Sequence, residues 1–329
     1  MIAARGRTPR PRKMSKTTSP IHPVALVEQG KQTGKAGGKT IGAGARVAQH
    51  EVVSGDRTIS VWVSYPPGYA PGGAQASSGL LPWLVYLHAG GFVQSDCEAA
   101  CQLAADLAST VPAVVVTPGY SLAPDHPFPA APEDAVNTVA WVLKHARRLK
   151  VDKSRFAVVG EEAGGNLAIA LSQMLRDRGL PQPAGQWLIR PVTDPCLQHA
   201  SCTAGPRRVS MEMLQQLACN YRDYLPTPAD SVHPYAAPAL ASRLGGLPPA
   251  LVQVAELDAL RAEGEAFAER LRKAGVPAET MIMPGACGDG VEQSHESCQA
   301  WVNEGARFLR DCFARGDDAS SRPERRSGA

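Results

Sequence analysis

The sequence predicts an α/β fold: a mainly parallel sheet with helices on both faces. Three observations carry that expectation. Short apolar runs alternate with longer segments of helical spacing from residue 84 to residue 313, as repeated strand–helix pairs with right-handed crossovers require. Several runs, such as Leu84-Val85-Tyr86-Leu87 and Ala113-Val114-Val115-Val116 ahead of Thr117, are apolar throughout, which marks strands covered on both faces. Gly-rich loops follow the runs, and in such sheets the carboxyl ends of the strands are where ligands bind.

Taken in order, residues 47–53 and 58–65 are expected strands joined through Ser54-Gly55-Asp56, a hairpin turn signal. Residues 84–87 form a strand, 98–109 a helix, 113–117 a strand, and 132–148 a helix after a Pro-rich loop. Residues 156–159 lead into Glu162, followed by a helix over 163–178. Strands at 187–189 and 250–254, a helix at 262–274, a strand at 279–283 and a helix at 297–313 complete a sheet of eight strands. Residues 20–45 and 200–235 interrupt the alternation and are expected to form a small lid.

Outside this body the composition changes. Residues 1–50 hold ten Lys/Arg and one acid, Glu28, a net of +9. The whole chain carries +3, so the remainder carries −6. Residues 1–45 are therefore expected to be a basic, disordered tail and linker, with Met14 an alternative start, and 316–329 a polar disordered tail. A mildly acidic body offers no basic face for nucleic acid. No apolar run approaches the roughly 18–20 residues that span a bilayer, and the N-terminus lacks the pattern of a secretory signal. Eight cysteines without zinc spacing predict free thiols and a reducing, cytoplasmic location. No cofactor is expected; a homodimer is compatible with the sequence, which does not fix the oligomeric state.

The chemistry-bearing segment is Val158-Val159-Gly160-Glu161-Glu162-Ala163-Gly164-Gly165-Asn166-Leu167-Ala168. It has the build of a strand-to-helix nucleophile elbow, with small residues where the turn is tight, and Glu162 stands at the nucleophile position. His88-Ala89-Gly90-Gly91-Phe92 follows a buried strand, where a tight Gly-rich loop aims N–H groups at a developing oxyanion.

With Tyr120-Ser121-Leu122-Ala123-Pro124-Asp125-His126-Pro127-Phe128-Pro129-Ala130-Ala131 and Leu257-Asp258-Ala259-Leu260-Arg261-Ala262-Glu263-Gly264, these segments resemble the hormone-sensitive-lipase-like, carboxylesterase branch of the α/β-hydrolase fold. The resemblance runs from about residue 47 to residue 313. It implies an oxyanion hole at the N–H groups of Gly90, Gly91 and Ala163, a triad acid at Asp258, and supporting roles for His88 and Glu161. It also implies two losses. The family's serine is replaced by Glu162. In Gly285-Ala286-Cys287-Gly288-Asp289-Gly290 the position of its histidine base holds Gly288. His295 and His126 are weak substitutes for the base, as Ser121 and Ser154 are for the nucleophile. Loss of the triad Ser or His costs of order 10⁶ in turnover.

Three roles remain open for Glu162. It could attack covalently, but without a base the ester would stall. It could act as a general base in a lyase or cyclase, or its carboxylate could fold into the oxyanion hole. A metal held by Glu162, Asp258 and Asp289 would lack a histidine ligand. The expected function is a non-hydrolytic relative of carboxylic ester hydrolases that binds a small apolar carbonyl or ester-like ligand, or a partner. The alternatives are a lyase using Glu162 and an esterase with an unrecognised nucleophile.

Overall fold

The computed structural model describes residues 39–41, 45–69, 79–199, 211–284 and 295–320. Among them, nine strands form one sheet: β1 (Lys39–Ile41), β2 (Ala45–Ser54), β3 (Arg57–Tyr65), β4 (Leu81–Leu87), β5 (Val114–Pro118), β6 (Val151–Glu161), β7 (Gln186–Ile189), β8 (Ala250–Ala255) and β9 (Ala278–Met283). Their order is β1-β2-β3-β5-β4-β6-β7-β8-β9. The six strands β5, β4, β6, β7, β8 and β9 run parallel, and β1, β2 and β3 join antiparallel at the β5 edge. The eight strands read from the sequence are β2 to β9. Lys39–Ile41 lies where a linker was expected; its backbone pairs with Ala45–Val47, a bond pattern that needs no apolar signature.

Among the described residues there are six α-helices: α1 (Cys97–Thr110), α2 (Ala130–Leu149), α3 (Ala163–Asp177), α4 (Met211–Tyr224), α5 (Arg261–Lys273) and α6 (His295–Ser320). Strand alternation divides the core into two layers. Trp83, Val85 and Leu87 of β4 and Phe156 and Val158 of β6 pack with α2, α3 and α5 side chains such as Val139, Leu167 and Phe267. Leu84, Tyr86, Ala157 and Val159 face the other way, onto Leu107 of α1 and Leu309 and Phe313 of α6. Asp96 caps α1 by accepting from the N–H groups of Glu98 and Ala99 at 3.1 and 2.9 Å.

Two boundaries differ from the sequence reading in a way that matters below. α4 occupies part of the expected lid; residues 200–210 lie outside the described residues. α6 runs to Ser320, so the helix continues past residue 316, where a tail was expected. Among the described residues no helix is long and apolar enough to cross a membrane.

Candidate active site

Glu162 sits between the end of β6 and the start of α3, at φ 52° and ψ −111°. A non-glycine residue in this region stores on the order of 1–3 kcal/mol and persists only where its surroundings fix it. Here they do. The Glu162 N–H donates to the Ile189 carbonyl at 2.9 Å, and the Glu162 carbonyl accepts from Asn166 and Val192 N–H, each at 3.2 Å. The turn also needs bare backbone around it: a Cβ on Gly164 would collide with the Leu87 carbonyl, and one on Gly160 with the Gly164 carbonyl.

The loop after β4 is equally specific. Gly90, Gly91 and Phe92 follow one another at φ 131°, 56° and 68°, and the Gly90 carbonyl accepts from Val93 and Gln94 N–H at 3.1 and 2.9 Å. This places the Gly90 and Gly91 N–H groups side by side, and both donate to one atom, Glu162 Oε2, at 2.9 Å each. The Glu162 side chain makes no cap hydrogen bond to its own helix. The carboxylate thus takes two of the three N–H groups named from the sequence, and Ala163 N–H is not among its donors.

Supporting groups hold the loop from below and above. The His88 ring is buried, stacked on Tyr120 with centroids 4.2 Å apart. Its Nδ1 lies 2.6 Å from the Ala89 carbonyl and its Nε2 3.2 Å from Ser95 Oγ. That pattern puts the ring proton on Nδ1 and lets Nε2 accept from the serine. Burial holds the His88 pKa below its ordinary value, with the Ala89 hydrogen bond and Glu162 opposing. The Tyr120 hydroxyl donates to the His88 carbonyl at 2.9 Å. Above, Phe92 stacks on Tyr224 of α4 at 4.0 Å and leans on Tyr221 at 5.4 Å, so α4 is fastened to the loop after β4.

Asp258 is 3 % exposed. Its Oδ1 accepts from Leu260 N–H at 2.8 Å, and its Oδ2 finds no hydrogen-bond partner among the described residues. Arg190 Nη1 lies 3.6 Å from that oxygen, while Arg190 Nη2 donates to Glu161 Oε1 at 2.9 Å. Burial works against the Arg190 charge, and Glu161 and Asp258 outweigh it, raising the guanidinium above its usual range. Gly288, with all of residues 285–294, lies outside the described residues. His295 is the first residue of α6. His126 lines a cavity of about 530 Å³ with Arg57, Trp62 and Tyr120. Ser121 Oγ accepts from Arg57 Nε at 3.1 Å, and exposed Ser154 donates to Asp152 Oδ1 at 2.7 Å; neither touches Glu162.

Three residues escaped the sequence reading. Arg190 gives no local signal, since its partners come from β6 and from the loop after β8. Glu263 is buried, its Oε1 accepting from the Thr193 and Asp194 N–H groups and the Thr193 hydroxyl, and burial pushes its carboxyl up to about 7. The Tyr221 hydroxyl is buried with no hydrogen-bond partner among the described residues, and burial, then Glu263 and Glu162, raise its pKa well above the ordinary value. Among the described residues no group of three or more His, Cys, Asp or Glu is placed to hold a metal ion. Among the described residues Cys196, Cys219 and Cys312 carry free thiols.

Comparison with known proteins agrees with this frame. A family model described as alpha/beta hydrolase fold matches residues 84–288. An ethyl acetate hydrolase of Pseudomonas putida is 35% identical over 233 residues, covering 70% of this chain and 71% of that protein. An arylesterase of Saccharolobus solfataricus is 30% identical, covering 70% and 74%. A hyperthermophilic esterase from Pyrobaculum calidifontis, 34% identical, superposes with a TM-score of 0.71 over 81% of this chain and 83% of that one. The chain belongs to the α/β-hydrolase fold family, among its members related to carboxylic ester hydrolases.

Proposed function

We propose that this chain is a hormone-sensitive-lipase-like α/β-hydrolase that has given up ester hydrolysis and keeps its crevice for binding. The observation that carries the reading is the pair of 2.9 Å hydrogen bonds from Gly90 and Gly91 to Glu162 Oε2. Donors of this kind stabilise the oxyanion of a tetrahedral intermediate. Here the chain supplies its own anion, and charge-assisted bonds of that type are about twice as strong as neutral ones. A carbonyl oxygen entering the crevice must displace the carboxylate before it meets either donor. With Glu162 in place of the serine and Gly288 in place of the histidine, a nucleophile and its base are both absent from the family's positions.

The ligand is then a small, mainly apolar molecule of ester-like or carbonyl character, held in the crevice without the help of the oxyanion donors. A second reading, a lyase or cyclase using Glu162 as general base, draws on Oε1, to which no described group donates. The test is direct. The purified protein should neither turn over p-nitrophenyl acetate or butyrate nor be labelled by a fluorophosphonate. Rapid hydrolysis lost on Glu162→Ala would refute the binding reading. A sigmoid pH–rate profile in a non-hydrolytic reaction, abolished by Glu162→Gln, would establish the second.

A further inference from the structure

We propose that the end of the fold opposite the crevice is a docking surface for an anionic phospholipid bilayer, formed by Lys144, Arg147, Arg148 and Lys150, with Arg46 beside them and Leu80 at the margin. Residues 51–329 carry a net of −6, yet the ten residues from Lys144 to Lys153 hold five Lys/Arg against one acid, Asp152. All five are exposed. Among the described residues neither they nor Arg46 makes a salt bridge. Helical spacing sets Lys144, Arg147 and Arg148 on one face of α2, at i, i+3 and i+4, and Lys150 is its C-cap.

The neighbouring strands add to the positive field. Burial pushes the Tyr65 hydroxyl of β3 up to about 12, and Arg46 and Arg148 both oppose that rise, so cations from β2 and α2 act on the same point. Burial lowers the His50 pKa, and Arg148 and His145 lower it further. The helix dipole accounts for cations in the last turn of α2; it does not account for Arg46, which comes from the sheet. Like charges gathered without acids repel one another, and an external polyanion relieves that cost.

The choice of a bilayer over a nucleic acid comes from Leu80. Its side chain is 49 % exposed, and the N–H of the next residue, Leu81, donates to the Lys150 carbonyl at 3.0 Å. An apolar side chain beside cations meets acyl chains and anionic headgroups together, whereas a phosphate backbone leaves the leucine without a partner. β6 starts at Val151, next to the patch, and ends at Glu161, next to Glu162. At about 3.3 Å per residue the strand spans roughly 30 Å. A chain docked by this end carries its crevice away from the bilayer, and the inference does not depend on what the crevice does.

The experiment is co-sedimentation of the full chain with vesicles of phosphatidylcholine containing about 30% phosphatidylserine, and with phosphatidylcholine alone. Each Lys/Arg near such a surface is worth about fivefold in affinity, so Lys144→Gln/Arg147→Gln/Arg148→Gln should weaken binding to the mixed vesicles by about a hundredfold. A charge-matched control, Arg222→Gln/Arg243→Gln/Lys273→Gln, should stay within about fivefold of the parent. Residues 1–50 carry a net of +9, and both variants leave them intact, so the comparison isolates the patch. Thermal melting checks each protein; should the triple variant fail to fold, Lys144→Gln/Arg148→Gln should lose about 25-fold. Leu80→Ser should cost about fivefold. Equal affinities of the triple variant and its control, or equally tight binding to phosphatidylcholine alone, would overturn the proposal. So would an affinity that Leu80→Ser leaves unchanged, or a chain that ignores vesicles and retains a DNA duplex through the same three side chains.

Discussion

Glu162→Ala should open the Gly90 and Gly91 N–H groups to ligands from solution. In the structure the Gly90 and Gly91 N–H groups each donate to Glu162 Oε2 at 2.9 Å, and hydrogen bonds to a charged group contribute about 1.5–3 kcal/mol each. Two at the lower bound give about 3 kcal/mol. Glu162 is partly exposed, so solvent screening roughly halves this, to about 1.5 kcal/mol. A ligand competing for the same donors sees only the fraction of molecules in which the carboxylate has left, and its apparent affinity falls by that factor. Removing the carboxylate therefore tightens binding by roughly tenfold. The assay is calorimetric titration of the chain and of Glu162→Ala with the ketone isostere of p-nitrophenyl butyrate in which a methylene replaces the ester oxygen, so that it carries the carbonyl and cannot be hydrolysed. Because the donors face the crevice, water solvates them in the variant and its melting temperature should change little. Equal dissociation constants for the two proteins, with both folded, would refute the reasoning.

Three further outcomes follow from the same coordinates. Glu263 has its pKa raised from 4.5 to about 7, so folding favours its protonated form. The stability from that site is present below pH 4.5 and lost as pH rises towards 7, on the order of 2–3 kcal/mol; Glu263→Gln, which keeps the acceptor oxygen, should match the parent near pH 4.5 and exceed it at pH 8 in urea melts. Phe92 is 1 % exposed and stacked on Tyr224, so Phe92→Ala should cost about 3–5 kcal/mol of stability in urea unfolding. Gly164→Ala should cost at least about 1–3 kcal/mol in the same measurement, because its Cβ meets the Leu87 carbonyl, a backbone atom that cannot swing aside.

The fold was legible because its strands are buried on both sides, which leaves runs of apolar residues that periodicity picks out. The same rule explains what it hid. β4 begins at Leu81, ahead of the run at Leu84, because Pro82 interrupts the signal and the pairing shifts register between Leu81 and Trp83. β6 begins at Val151 although Asp152-Lys153-Ser154-Arg155 is polar, since its central stretch alone is sandwiched by helices. β1 adds to an edge by backbone bonds alone. At the site, local motifs exposed Glu162 and the glycines of the oxyanion loop, whose roles depend on sequential spacing. Arg190 depends on three segments meeting in space, and no spacing in the chain announces it. The Phe92–Tyr224 stack is of the same kind, joining the oxyanion loop to a lid helix whose sequence has no strand–helix frame to anchor a reading.

The most direct measurement is the pair of backbone amide resonances of Gly90 and Gly91. With both donating to Glu162 Oε2 at 2.9 Å, both should lie downfield in the parent and move upfield together in Glu162→Ala. Amides whose shifts are the same in the parent and in Glu162→Ala would show that the carboxylate does not accept from these two groups.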